Sequence, residues 1–360
     1  MNIAMFPRSP WWRGNPYLGL LESGLQQHGA TCVADPNDGV DWRWLLAQRG
    51  QVHILHFHWL EYHYDRAGQF ASVLALAAFV IKIVLALVLG YRIVWTVHNL
   101  RPHEPKHPKL DHACWWVMGR LAHVIITHCE DTRQRLTQQF TLPNSAPIYV
   151  VPHPNYVGVY PQTIRRELAR QQLGLAQTHT VYLYFGGVRP YKGIEEAIAA
   201  FKQIADDEAR LMIVGRPLND EIKQRICALA ADDARVLIVF EYVPDERVAL
   251  YYAAADVVVL PFRNVTTSGS ALLAMSLGKP VLTAARGCLP ELVSDDTGLL
   301  YDPSDPEALC QAMRTCAKLD LGAMGQRALA RVAPLTPLAV AEQHLRLYAD
   351  QPMSEPTSPT

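Results

Sequence analysis

Two short segments of this chain carry residues able to grip a phosphate anion. In the first, Tyr184-Phe-Gly-Gly-Val-Arg-Pro-Tyr-Lys-Gly193, an apolar run from Thr180 to Phe185 ends at paired glycines, with Arg189 and Lys192 just beyond. Gly186 and Gly187 let a backbone approach a ligand closely. A guanidinium and an ammonium beside that gap suit a diphosphate. The second segment, Thr266-Thr-Ser-Gly-Ser270, opens a predicted helix. Free N–H groups and partial positive charge at a helix start favour an anion. Thr267 or Ser268 could also serve as the helix N-cap, a role compatible with the first. Together the two segments point to a bound nucleoside diphosphate.

A second group of residues could move protons. His98 closes the run Trp95-Thr-Val-His-Asn99, and an imidazole can act as a general base near neutral pH. Glu61, Asp65 and Glu104 are further bases. His53, His56, His58 and His63 cluster with Glu61 and Asp65, and His56 and His58 share one face of a strand because strand residues alternate. A zinc site is conceivable there. No cysteine or carboxylate spacing completes a ligand set, so polar residues lining a cleft are preferred, and no metal or other cofactor is expected. Trp11, Trp12, Trp59 and Tyr62 offer flat faces for stacking, or for lipid headgroups.

These residues must be positioned by the elements between them. Short apolar runs alternate with longer helical ones. Strands are predicted at Asn2–Phe6, near Thr31–Ala34, and at His53–His58, Arg92–His98, Val124–His128 and Ile148–Val151. They resume at Thr180–Phe185, Ala209–Val214, Val236–Phe240, Val257–Pro261, Pro280–Ala284 and Leu299–Tyr301. Alternating β and α implies parallel sheets with helices on both faces. The fold class is therefore α/β, with one Rossmann-like domain over 1–160 and a second, nucleotide-binding one over 161–335. A returning helix follows over 336–350, then a disordered tail over 351–360. In such sheets ligands bind at the carboxyl ends of strands, where most of these motifs fall.

The 360 residues are half hydrophobic, so the chain is globular, and a net charge of −1 argues against a nucleic-acid binder. The seven cysteines are scattered without a Cys-x-x-Cys pair and read as reduced thiols. No signal peptide is evident. The stretch Phe70–Gly90 is long and apolar enough to span a bilayer, but Lys82 sits at its centre and strand-like runs flank it closely. A helix lying partly in a membrane interface, with Arg92, Arg101, Lys106, Lys109 and Arg120 nearby, is preferred over a span.

The order FGGVRPYKG, EYVPDERVALYYAAADVVVLPF, TSGSALLAMSLGKPVL, RGCLPELV and TGLLYD resembles the donor-binding half of GT-B glycosyltransferases. It is most similar to glycosyltransferase family 4 and to bacterial exopolysaccharide mannosyltransferases. NPYLGLLESGLQQHG, HILHFHW and IVWTVHN extend the likeness more loosely to the first half. The resemblance implies two Rossmann-like domains facing a cleft, with the last helix crossing back to the first domain. It implies that Gly186, Gly187, Arg189, Lys192, Thr267, Ser268, Gly269 and Ser270 hold the donor diphosphate, and that Glu241, Tyr242 and Val243 flank the nucleoside. His98, Glu61 and Asp65 become the catalytic candidates, with Asn15, His58 and Trp59 on the acceptor side.

The implied reaction is metal-independent hexosyl transfer to a lipid-linked saccharide in exopolysaccharide or cell-surface glycan synthesis. GDP-mannose is the first donor expected and UDP-sugars the next, at the inner face of the plasma membrane. One departure stands out. The family usually carries two glutamates eight positions apart where this chain has Val265 and Leu273. That leaves open a non-catalytic sugar-nucleotide-binding subunit of a polysaccharide assembly complex, or a sugar-nucleotide epimerase on the same fold.

Overall fold

A computed structural model describes residues 1–7, 16–35, 39–102, 106–139, 146–161 and 164–351. Asn15, Trp11, Trp12 and Glu104 lie outside the described residues. The chain divides into two compact units, residues 1–154 with 335–360, and residues 155–334.

The first unit runs β1 (Asn2–Phe6), α1 (Tyr17–Gln27), β2 (Thr31–Cys32), α2 (Trp42–Ala47), β3 (Ile54–Phe57), α3 (Glu61–Tyr64), α4 (Gln69–Val88), β4 (Arg92–Val97), α5 (Pro108–Leu121), β5 (Val124–Thr127), α6 (Glu130–Gln139) and β6 (Ile148–Val150). The second continues with α7 (Arg166–Gln172), β7 (Thr180–Phe185), α8 (Ile194–Lys202), β8 (Ala209–Val214), α9 (Asp220–Ala230), β9 (Val236–Val239), α10 (Asp245–Ala254), β10 (Val257–Leu260), α11 (Gly269–Ser276), β11 (Val281–Ala284), α12 (Leu289–Leu292), β12 (Gly298–Tyr301), α13 (Ala308–Cys316) and α14 (Leu321–Val332). Then α15 (Pro337–Tyr348) rejoins the first unit and packs on α1. Thr336 caps α15 through its hydroxyl, and Pro337 fits the first turn, where no N–H is needed. Gly24 allows α1 and α15 to approach: a Cβ there would stand 2.2 Å from the Pro337 carbonyl oxygen.

Each unit holds a six-stranded parallel sheet, in the orders β2-β1-β3-β4-β5-β6 and β12-β11-β10-β7-β8-β9. Strands such as Val257–Leu260 are buried throughout, as a sheet covered on both faces requires. In the second sheet the strand order reverses between β7 and β10, and in the first between β1 and β3. These are the switch points where open α/β sheets leave a crevice. The two phosphate-type segments follow β7 and β10, so they are neighbours by topology.

The apolar stretch folds as α4, the crossover between β3 and β4. Those strands pair in parallel, Ile54 opposite Arg92, so both ends of α4 are tied to one sheet. A span would put β3 and β4 on opposite sides of a bilayer. Ser72, Leu76, Phe79, Ile83 and Ala86 form the buried stripe of α4, while Phe70, Val73, Leu74, Ile81, Val84 and Val88 are exposed.

Candidate active site

In the second unit the loop after β7 turns at Gly186, whose φ of +125° is open to glycine and costly for other residues. Its shape is set from below. Gly186 N–H donates to Val214 O and Val188 N–H to Arg216 O, both at 2.9 Å. The buried Tyr184 hydroxyl donates to Gly187 O at 2.7 Å. Gly215 lies so close that a Cβ on it would sit 2.0 Å from Gly186 O. The loop then makes a 3-10 turn over Pro190–Lys192 and enters α8 at Gly193, φ +70°.

Three side chains gather over this turn. A Cβ on Gly186 would meet Lys192 Nζ at 3.3 Å and Ser270 Oγ at 3.9 Å, and a Cβ on Gly187 would meet Arg189 Nη1 at 3.6 Å. The guanidinium, the ammonium and the first turn of α11 therefore lie against the same glycine pair. Arg263 fastens the two loops together: its N–H donates to Tyr191 O at 2.9 Å, and its guanidinium reaches Pro190 O, Glu195 and Glu196.

The ammonium of Lys192 is half-buried, and among the described residues no carboxylate pairs with it. Burial, and then the positive Arg189, lower its pKa to about 8. A group held in that condition gains from an arriving anion. Ser268 is the N-cap of α11, its hydroxyl accepting from Ala271 N at 3.1 Å. Thr267 Oγ1 turns instead towards Cys288 Sγ, at 3.4 Å. What Gly269 and Ser270 offer is the open start of α11 and the Ser270 hydroxyl.

Of the residues expected beside the nucleoside, Glu241 bonds Arg247 and Tyr251 at the start of α10. Tyr242 is exposed and Val243 is buried. Val265 is buried in the loop before α11, so no carboxylate enters from that position.

In the first unit His58, His98 and His128 each stand one residue past the end of β3, β4 and β5. Neighbouring strands lie about 4.8 Å apart, so their end residues form a row at that spacing. The ring centroids are 5.3 Å apart for His58–His98 and 5.0 Å for His98–His128. His58 Nδ1 meets His98 Nε2 at 3.0 Å, and His98 Nδ1 meets His128 Nε2 at 3.1 Å. Both nitrogens of His98 are thus occupied by other imidazoles, rather than open to a ligand as expected of a general base. Trp59 stacks on its ring at 4.1 Å and Tyr17 meets it edge-on at 4.7 Å. Burial, reinforced by the neighbouring imidazoles, pushes the pKa values of His58 and His98 well below the usual histidine range.

The other predicted residues of this unit separate. His56 is buried between Thr96 Oγ1 and Tyr348 OH, both at 2.7 Å, and so pins α15 to the sheet. His63 stacks on Phe79 within the core. Among the described residues, no group of three or more His, Cys, Asp or Glu is placed to hold a metal ion. Asp65 pairs with Lys106 at 2.8 Å. Glu61 is half-buried, and desolvation, then Asp111 and Asp65, raise its pKa to about 7 against its own backbone hydrogen bond. A carboxyl group with that pKa can exchange protons near neutral pH. Sequence reasoning missed His128, His153 and Tyr17. The available signal was a histidine directly after three apolar runs, HFH58, TVH98 and ITH128.

With this geometry in hand, the chain can be compared with known proteins. Residues 179–318 match the family model described as glycosyl transferases group 1. Over 323 residues the chain is 28% identical to a GDP-mannose:glycolipid 4-beta-D-mannosyltransferase of Xanthomonas campestris pv. campestris, covering 87% of this chain and 83% of that protein. It is 34% identical over 174 residues to a D-inositol 3-phosphate glycosyltransferase of Geodermatophilus obscurus, covering 45% and 39%. Among solved structures it is similar to a sucrose-phosphate synthase of Thermosynechococcus elongatus, with TM-score 0.75, 21% identity, and 97% and 98% of the two chains covered. It is also similar to Anabaena HepE in complex with UDP-glucose, with TM-score 0.74, 17% identity, and 97% and 100% covered. The group 1 glycosyl transferase match spans both phosphate-type segments, and the chain shares the GT-B fold with these structures over nearly its whole length.

Proposed function

We propose that the protein transfers a mannosyl group from GDP-mannose to a lipid-linked saccharide acceptor in the assembly of an exopolysaccharide or cell-surface glycan. The observation that carries this reading is the convergence of Lys192, Arg189 and Ser270 on Gly186-Gly187. As the sugar–phosphate bond breaks, negative charge builds on the diphosphate, and fixed cations there act on the transition state more than on the ground state. The choice of GDP-mannose and of a glycolipid follows the Xanthomonas relative. Its name specifies a beta product, and from an alpha-linked donor that outcome inverts the anomeric centre. An inverting course needs a group that takes up the proton of the acceptor hydroxyl. In this reading the donor phosphates need no metal, since the protein supplies the cations.

The exposed apolar face of α4 supports the proposal that the protein works at the cytoplasmic surface of the plasma membrane, where a lipid-linked acceptor resides. Trp116 and Arg120 on α5, which packs on α4, add an interfacial aromatic with a cation 3.5 Å from its ring centroid. A second reading, a non-catalytic sugar-nucleotide-binding subunit, is favoured by Val265 and Leu273 alone.

Incubating purified protein with GDP-mannose or UDP-glucose and a detergent-dispersed lipid-linked saccharide separates the two. Addition of one hexose from GDP-mannose is expected, with a beta linkage by NMR. Nucleotide binding without any transfer would favour the second reading.

A further inference from the structure

The row of imidazoles has a direction that hydrogen-bond chemistry dictates. His128 Nδ1 lies 3.0 Å from Val151 O, and a carbonyl can only accept, so Nδ1 carries the proton. In the neutral ring His128 Nε2 is then an acceptor, and His98 Nδ1 must donate to it. His98 Nε2 is therefore an acceptor in turn, and His58 Nδ1 must donate to it. One lone pair is left over, on His58 Nε2. That atom is buried and has no hydrogen-bond partner among the described residues. A buried acceptor left bare is costly, which marks this end of the row as a position awaiting a proton donor.

His58 also borders a small cavity of about 20 Å³, shared with Glu61, Thr96, His98 and Asn99. That is roughly room for one water molecule.

We propose that His58, His98 and His128 form a one-way proton relay that carries the acceptor's proton from this cavity to His128. The inference rests on the transfer reaction proposed above. As the acceptor oxygen bonds to the anomeric carbon, its O–H bond breaks and its proton passes to the cavity water. The water gives a proton to His58 Nε2. The Nδ1 proton of His58 moves to His98 Nε2, and that of His98 to His128 Nε2. His58 and His98 end neutral with their tautomers exchanged. His128 ends as imidazolium, its charge facing Val151 O. The electron pair of the broken sugar–phosphate bond leaves with the diphosphate.

The surroundings bias charge towards His128. His58 is faced by His56 and, further off, His344; His98 by Tyr17 and Trp59; and His128 by Tyr17 and His153. No side chain among these is a fixed cation or a carboxylate. The Val151 carbonyl alone favours a protonated ring, and it acts on His128.

Two measurements test the relay. In wild-type protein, nitrogen NMR of labelled histidine should find His58, His98 and His128 neutral and protonated at Nδ1 at pH 7. A His58 or His98 ring protonated at Nε2 instead would overturn the direction, whether or not the protein transfers sugar. The second measurement uses His128→Gln. Its amide oxygen can still accept from His98 Nδ1–H but cannot take up a proton. Turnover is expected to fall about 100-fold with the donor KM unchanged, and the solvent proton inventory on kcat to change from bowed to linear. If glutamine restores turnover to within twofold and the bowed inventory persists, the row is only structural.

Discussion

In the proposed site, Lys192 puts affinity on a single titrating group. Its ammonium is present below its pKa of about 8 and lost above it. Binding of a nucleoside diphosphate should therefore weaken as pH rises from 7 to 9.5, because the charge disappears just when the ligand needs it. Titration calorimetry of GDP across that range should show the decline in wild type and a much flatter response in Lys192→Ala. Gly186→Ala tests the turn itself. The new Cβ would press on Lys192 Nζ at 3.3 Å in a backbone conformation that alanine adopts only with strain. We expect a loss of at least tenfold in GDP affinity with the far-UV spectrum retained. The glycine pair and its two cations could be read directly from the sequence, because their order along the chain is also their order in the site. The engagement of both His98 nitrogens could not. It depends on which strands are neighbours, and sequence spacing does not carry strand order.

At the scale of elements, α4 has one face in the core and another that is apolar and exposed among the described residues. Each large apolar side chain moved out of water is worth roughly 1.5–3 kcal/mol, so a few suffice for reversible binding to a bilayer. Wild type is expected to sediment with vesicles containing anionic lipid, and the double variant Ile81→Glu/Val84→Glu to stay in the supernatant with its fold intact. If wild type also stays in solution, α4 has another use. The sequence made α4 legible as a helix of unusual apolarity. It could not show which residues face the sheet, because an apolar residue at nearly every position erases the periodicity that distinguishes the two faces. The short helices α3 and α12 leave no signal in the sequence for a related reason: four residues are too few to display a helical period.

Across the molecule, histidine is distributed unevenly. The unit of residues 155–334 contains one, His179, whereas the other buries His56, His58, His98, His128, His153 and His344. Burial lowers the pKa of all six, to about 4 for His128 and His344 and about 3 for His153. The folded state then refuses protons that the unfolded chain accepts below about pH 6.5. Stability is fully present above that pH and is lost as pH falls through it, by up to about 1.4 kcal/mol per pH unit for each histidine. Hydrogen exchange at pH 7.5 and 5.5, corrected for intrinsic rates, should show α1, α15 and the β3–β5 strands opening at the lower pH while β7–β10 stay protected. Equal protection losses in both units would remove this role for the histidines.

Among the described residues, all twelve strands lie where the apolar runs predicted them, within a residue or two. Buried parallel strands are short, continuous and apolar, and so easy to find. The most direct test of the whole account is calorimetry of GDP binding to wild type and to Arg189→Ala/Lys192→Ala at pH 7. Charge-assisted contacts are worth about 1.5–3 kcal/mol each, so the account requires affinity to fall at least 100-fold in the double variant while its melting temperature stays near that of wild type. Unchanged affinity in a folded double variant would contradict it.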